Sequence, residues 1–141
     1  MPEIDALLVA LLGETGGSRV TLRQDVPGDY SFPVTNEALA PGTSSLRDER
    51  TVDLRTQPVV QELLLGRQVV QDDCRAAFNE PAFQQMLETY GGLAAQVVTP
   101  IFSDGRLVAI LSLHQLGAPR HWTDDEITAA ARTAEAIEEL L

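Results

Sequence analysis

Apolar residues recur with two periods along this chain, and each change of period marks a new element. In residues 2–14, Ile4, Leu7, Leu8 and Leu11 stand at helical spacing and Leu12 widens the stripe, which predicts an amphipathic helix. Glu3 and Asp5 lie near its positive end, and Gly13, Gly16 and Gly17 mark its close. The period then drops to two. Val20, Leu22 and Gln24 alternate with Arg19, Thr21, Arg23 and Asp25, which predicts a strand over 18–26. Pro27-Gly28-Asp29 reads as a turn. Tyr30 to Leu39 reads as a second strand, placed at an edge by Pro33, so the two form a hairpin with a short loop.

Residues 40–57 break the pattern with Pro41, Gly42, Ser44 and Ser45, then a charged run from Arg47 to Arg55. A solvated connector is the simpler reading, and a lid over a binding site is the other. Pro58 to Leu65 predicts a short helix with Val59, Val60, Leu63 and Leu64 facing inward and Gly66 past its end. Gln68 to Gln71 predicts a short strand running into Asp72-Asp73-Cys74. Asn79 is placed to cap a helix from Glu80 to Tyr90, in which Phe83, Met86, Leu87 and Tyr90 repeat at helical spacing before Gly91-Gly92.

The last third is the most regular. Residues 94–102 and 106–115 predict two long strands around Ser103-Asp104-Gly105-Arg106. Asp-Gly suits a turn that needs positive φ at both central residues. Leu107, Ala109, Leu111 and Leu113 would share one face, and Val108, Ile110, Ser112 and His114 the other. Both faces are largely apolar, as expected of a central hairpin covered on both sides. Thr123 to Glu126 fits a capping box, with Trp122 and Ile127 as a hydrophobic staple. The helix that follows, residues 124–141, carries Ile127, Ala130, Ala131, Ala134, Ile137 and Leu141 on one stripe. This order predicts a single α+β domain over 1–141. A central antiparallel sheet would have the terminal helices on one face, and the middle helices and loops over a possible ligand pocket on the other.

Charge narrows the choice of partners. The net charge of −11 disfavours nucleic acid and anionic membranes, yet permits a local cationic pocket. The single cysteine, Cys74, rules out an internal disulfide and a four-thiolate zinc site, and suits a reducing cytoplasm. No apolar run approaches the roughly 18 residues of a membrane span. The first residues lack the basic segment of a signal peptide, so a cytoplasmic protein is expected.

The chain resembles the GAF domain family, small sensory modules related in fold to PAS domains. The residues that carry the resemblance are Val97-Val98-Thr99-Pro100-Ile101, Asp104 to Leu113, and Trp122 to Ile127 with the final helix. Gln57 to Asp72 is similar to the family's helix, glycine, apolar strand, aspartate element, while Ala109 stands where that family often has Gly. The resemblance implies a module that binds a cyclic nucleotide, bilin, haem or small acid, or that serves in dimerisation. Bilin-attached members carry Cys-His, but Arg75 follows Cys74 here. Methionine-sulfoxide-reducing members need several cysteines, and the cyclic-nucleotide signature has no match. No effector domain accompanies the module, so output to a separate effector protein is expected.

Six residues are candidates for the ligand site. Arg23 can hold a carboxylate or phosphate bidentately, or else pair with Asp25 at the surface. Ser112 and His114 can form a hydrogen-bonding pair, with His114 alternatively a haem ligand or a structural residue. Tyr90 and Gln96 flank the Gly91-Gly92 joint and can close one end of a cavity, or simply pack. One of Asp72 and Asp73 can face the pocket, and Asp72 is the candidate. His121 reads as a surface residue, and Cys74 as an idle thiol. The expected function is a non-catalytic sensory module for a small anionic or polar organic ligand, homodimeric through its terminal helices, with no cofactor identified. Two alternatives stand beside it: a ligand-free interaction module, and a redox-linked enzyme using Cys74.

Overall fold

A computed structural model describes residues 2–29 and 31–141. Four helices and five strands run in the order α1 (Pro2–Thr15), β1 (Arg19–Gln24), β2 (Val34–Leu39), α2 (Pro58–Leu64), β3 (Val69–Gln71), α3 (Pro81–Thr89), β4 (Leu93–Ser103), β5 (Arg106–Leu116) and α4 (Asp124–Leu140). The strands form one antiparallel sheet in the order β2-β1-β5-β4-β3. The long hairpin is therefore central, and β2 is an edge, as the sequence predicts.

Side-chain alternation divides the core into two layers. Ile4, Leu8 and Leu11 of α1 and Ala130, Ala134 and Ile137 of α4 pack with Val20, Leu22, Val97, Leu111 and Leu113 on one face of the sheet. Val59 and Leu63 of α2 and Phe83, Met86 and Leu87 of α3 pack with Val98 and Ile110 on the other. The terminal and middle helices thus cover opposite faces, as expected. The apolar stripes of α1 and α4 are buried within the chain, which leaves Val9 and Leu141 as the large apolar residues exposed on or just beyond these two helices.

Local chemistry accounts for the joints. Asp104 and Gly105 have φ of 53° and 75°, the left-handed pair that a two-residue hairpin turn requires. Thr123 accepts from the Glu126 backbone N–H while the Glu126 side chain accepts from that of Thr123, completing the capping box. Gly91 and Gly92, both at positive φ, end α3 by donating to Glu88 and Leu87 carbonyls.

Several expectations need correction. β2 begins at Val34, not Tyr30, because Pro33 cannot donate to the ladder and Phe32 takes a φ of 52°; Tyr30 itself lies outside the described residues. The β1–β2 connection is therefore long. A register shift near Ile101 and Phe102 pairs Leu107 with Phe102 and Ala109 with Ile101, which leaves Val108 as the extra residue. Leu107 consequently packs with the α2–α3 layer and Val108 with the terminal-helix layer, the reverse of simple alternation. Leu64 points outward at 52% exposure, and Leu141 lies beyond α4 at 51%. Helix α3 starts at Pro81 with Glu80 as its N-cap, so Asn79 does not cap it.

Residues 40–57 are mostly exposed, as a solvated connector would be, but Leu46 and Gln57 are buried and anchor the segment to the domain. The Glu37 carboxylate accepts from Ser45 Oγ at 2.5 Å and from Leu46 N at 2.7 Å, fixing the root of the loop. Leu46 is 2% exposed and belongs to the core beneath it.

Candidate functional site

The face of the sheet beneath α2 and α3 has polar rows running across it. Arg19 on β1, His114 on β5, Gln96 on β4 and Gln71 on β3 stand in register, and Thr21 is paired with Ser112 in the next row. Strand periodicity places the two rows on one face, since Arg19 and Thr21 on β1, and Ser112 and His114 on β5, lie two residues apart.

Arg19 is fully buried. Its Nε donates to His114 Nδ1 at 3.1 Å, Nη1 to the Ser44 carbonyl at 2.9 Å, and Nη2 to the Tyr90 carbonyl at 2.8 Å. One planar guanidinium thus holds together the sheet, the 40–57 loop and the end of α3. Arg23 donates Nη1 to the Phe32 carbonyl at 3.0 Å and Nη2 to the Tyr90 hydroxyl at 3.1 Å. It does not pair with Asp25, whose carboxylate instead meets Arg106 at 3.6 Å. Among the described residues, neither buried arginine has a carboxylate at salt-bridge distance. Burial pulls the Arg19 pKa from its ordinary 12.5 down to about 10, which leaves it charged at neutral pH.

This arrangement dictates the state of His114. A guanidinium has no acceptor, so the Nδ1 that receives the Arg19 Nε–H must be unprotonated. Burial, with Arg19 and then Arg23 nearby, holds the imidazole well below its usual pKa and therefore neutral. The remaining proton sits on Nε2, and His114 is fixed as an Nε2–H donor. Haem ligation through Nε2 would require moving that proton to Nδ1, against the Arg19 N–H, so the geometry rejects it. The Tyr90 ring stacks on His114 at 6.1 Å, and burial pushes its hydroxyl pKa up, which keeps the hydroxyl a donor.

A cavity of about 40 Å³ lies over this floor. Arg23, Gln96, Ser112 and His114 line its sheet side together with Val98 and Ile110. Tyr90 and Met86 from α3, Val59, Val60 and Leu63 from α2, and Leu54 and Gln57 before α2 close the other sides. Such a volume holds roughly one to three waters. Leu54, Val60 and Ile110 also line an outer, mostly apolar groove of about 220 Å³, bounded by Phe32, Arg55, Leu64, Arg106 and Leu107. Leu54 and Val60 therefore stand between the cavity and the groove. Leu54 belongs to a single helical turn, Leu54–Thr56, held by Asp53 accepting from Arg55 N at 3.1 Å.

Five of the six candidates, Arg23, Tyr90, Gln96, Ser112 and His114, converge on this cavity. Gln96 donates to Gln71 Oε1 at 2.8 Å. Asp72 lies elsewhere: its carboxylate receives His121 Nδ1 at 2.8 Å and Trp122 N at 3.1 Å, fastening the segment before α4 to the end of β3. Arg19 and Gln57 were not singled out by the sequence. Arg19 shares the alternation of Arg23, which was the available signal, whereas Gln57 stood at the end of an irregular segment. Cys74 is fully buried outside the cavity lining, and burial pushes its thiol up to about 12. Among the described residues, no cluster of His, Cys, Asp or Glu is placed to hold a metal, and no helix is long and apolar enough to cross a membrane.

The GAF domain family model matches residues 3–141, and the chain belongs to that family. A GAF domain from Synechocystis, solved in its photoproduct state, is 20% identical with a TM-score of 0.75, covering 99% of this chain and 93% of that one. The PixJ GAF domain of Thermosynechococcus elongatus in its blue-light-absorbing form is 22% identical with a TM-score of 0.71, covering 99% and 87%. The chromophore-binding domain of a bacteriophytochrome from R. palustris is 18% identical with a TM-score of 0.79, covering 97% of this chain and 53% of that one. These likenesses describe the fold. Among curated proteins, no sequence matches the chain.

Proposed function

We propose that this GAF domain is a non-catalytic sensory module that binds a small anionic or polar organic ligand between the sheet and the α2–α3 layer. The observation that carries this reading is electrostatic. Among the described residues, two buried guanidiniums, Arg19 and Arg23, lie on one sheet face with no carboxylate at salt-bridge distance, in a chain of net charge −11, and Arg23 lines the cavity. Buried cations are ordinarily paired, and a ligand anion supplies the missing partner. Ser112, His114 Nε2–H and the Tyr90 hydroxyl add neutral donors around the same space. At about 40 Å³ the cavity admits only waters, so a larger ligand requires the Leu54–Val60 segment to swing out and join the cavity to the outer groove.

Output would pass through the terminal helices. The Arg120 backbone N–H donates to the Asp72 carbonyl at 3.0 Å, and its side chain donates to Gln115 Oε1 at 3.1 Å and to both the Thr15 carbonyl and Glu126, with the guanidinium 4.4 Å over the Trp122 ring. A single residue thus links the ends of α1, β3 and β5 with the start of α4. A homodimer built on these helices would use their outer faces, since the inner stripes already pack on the sheet. The alternative of a redox-linked enzyme has no support in the environment of Cys74.

The test is a thermal-shift survey of small carboxylic acids, followed by native mass spectrometry of any acid that raises Tm. The expected result is a one-to-one adduct in the wild type that is lost in Arg23→Met. A survey in which no acid shifts Tm, with no small molecule on the isolated protein, would sink the reading.

A further inference from the structure

The ligand site has a second polarity, opposite in sense to its floor. Gln57 is 2% exposed, lines the cavity and precedes α2 directly. Its Nε2 donates to the Ala82 carbonyl at 3.4 Å, and that contact sets the orientation of the amide, since the reversed amide would turn Oε1 against a carbonyl oxygen. Among the described residues, Gln57 Oε1 is left buried with no hydrogen-bond partner. Unpartnered buried acceptors are uncommon, because folding removes their water without replacing it. Gln57 also does no capping: the N-cap position it occupies makes no side-chain hydrogen bond to α2. Donors therefore line the sheet side of the cavity, at Arg23, Ser112 and His114, while Gln57, which carries the unpartnered acceptor, lines the α2 side.

We infer that the ligand carries a carboxylate for Arg23 and, away from it, an N–H donor for Gln57 Oε1: an N-acylated amino acid or a similar amide-bearing small acid. This rests on the proposed function of the cavity and specifies its ligand class. An amide-bearing acid fits both polarities, because its carboxylate and carbonyl oxygens face donors while its N–H faces the acceptor. A simple fatty acid or dicarboxylic acid satisfies the floor and leaves Gln57 unpaired. Sites built to hydrogen-bond a substrate N–H reject analogues that lack it more strongly than apolar pockets discriminate by size.

The experiment uses isothermal titration of the full chain with N-acetylglycine, with levulinate, in which CH2 replaces the N–H, and with N-acetylglycinamide, which lacks the carboxylate. N-acetylglycine is expected to bind in the millimolar range or tighter, with levulinate about tenfold weaker, the loss of one hydrogen bond. The amide is expected to be weaker again. In Gln57→Leu, N-acetylglycine and levulinate are expected to bind equally; Gln57→Met, close in shape, serves if the leucine variant does not fold. Levulinate binding as tightly as N-acetylglycine to the wild type overturns the N–H assignment and leaves the anion-binding reading standing. Equal binding of the amide overturns the carboxylate assignment. No heat from any of the three overturns the ligand class, and the wider acid survey then decides separately whether the cavity binds anything.

Discussion

Replacing Arg19 with Met tests how the cavity floor is assembled. The side chain is fully buried and donates to three neutral acceptors, His114 Nδ1, the Ser44 carbonyl and the Tyr90 carbonyl. Hydrogen bonds from a charged donor contribute about 1.5–3 kcal/mol each. Against them stands the cost of burying the charge. The fall of the Arg19 pKa from 12.5 to about 10 corresponds to about 3 kcal/mol of differential penalty on the charged form. Methionine removes that penalty but leaves the buried Tyr90 carbonyl and the imidazole nitrogen without a donor, while Ser44, nearer the surface, regains water. The balance is a loss of about 2–4 kcal/mol, read from urea unfolding as a lower midpoint at unchanged slope. Arg19→Lys, with a compact ammonium in place of a planar fork, is expected to fall between the two. A second readout separates this role from simple packing. In Arg19→Met the His114 nitrogen shifts should report loss of the fixed Nε2–H tautomer. A loss below about 0.5 kcal/mol with the tautomer unchanged would refute the assignment of Arg19 as the organising group.

Three further expectations follow from the same contacts. His114 is held neutral in the fold, well below its ordinary 6.5, so the unfolded chain takes up a proton that the native one does not; the stability this gives is present above pH 6.5 and is lost as pH falls, at about 1.4 kcal/mol per unit. The lowered carboxylates of Asp29, Glu49, Asp53 and Asp72 act only below their ordinary 3.8–4.5, so the wild type minus His114→Asn difference between pH 6 and about 4.5 isolates the histidine, and a flat difference contradicts its neutral burial. Cys74, buried with its thiol near 12, should resist an aromatic disulfide reagent until the protein is unfolded in urea; labelling of the native protein at the rate of a free thiol would contradict that environment. Gly17→Ala places a Cβ 2.9 Å from the Leu113 side chain and 3.3 Å from the His114 carbonyl, and should cost about 1–3 kcal/mol in thermal unfolding, whereas a neutral substitution would show that β5 yields easily there.

Much of this architecture could be read from local signals. The Asp104-Gly105 turn, the Thr123–Glu126 box and the Gly91-Gly92 stop each depend on a few adjacent residues. Strand alternation correctly put Arg23 on the face opposite Val20 and Leu22, and put Ser112 with His114. It failed at Val108, where an extra residue reverses two side chains and no glycine or proline announces it. The site was harder because its contacts are long in sequence. Arg19 meets residues 25, 71 and 95 positions away, so nothing near it in the chain declares that its charge is buried. Asp72 was misplaced for the same reason, since its partners His121 and Trp122 come from the other side of the central hairpin. The 40–57 segment looked like a solvated connector because its composition is polar. Most of it is indeed exposed; what anchors it is a buried carboxylate at Glu37 and one leucine, Leu46, and neither stands out from the sequence.

The central claim is that the sheet face offers fixed donors to a small acid. The most direct measurement is nitrogen-15 NMR of the His114 imidazole, alone and during titration with N-acetylglycine. A protonated Nε2 and an unprotonated Nδ1 are expected throughout, with the Nε2–H signal moving to saturation in step with binding. Binding that leaves the His114 signals unmoved, or an apo imidazole protonated at Nδ1, would contradict that claim.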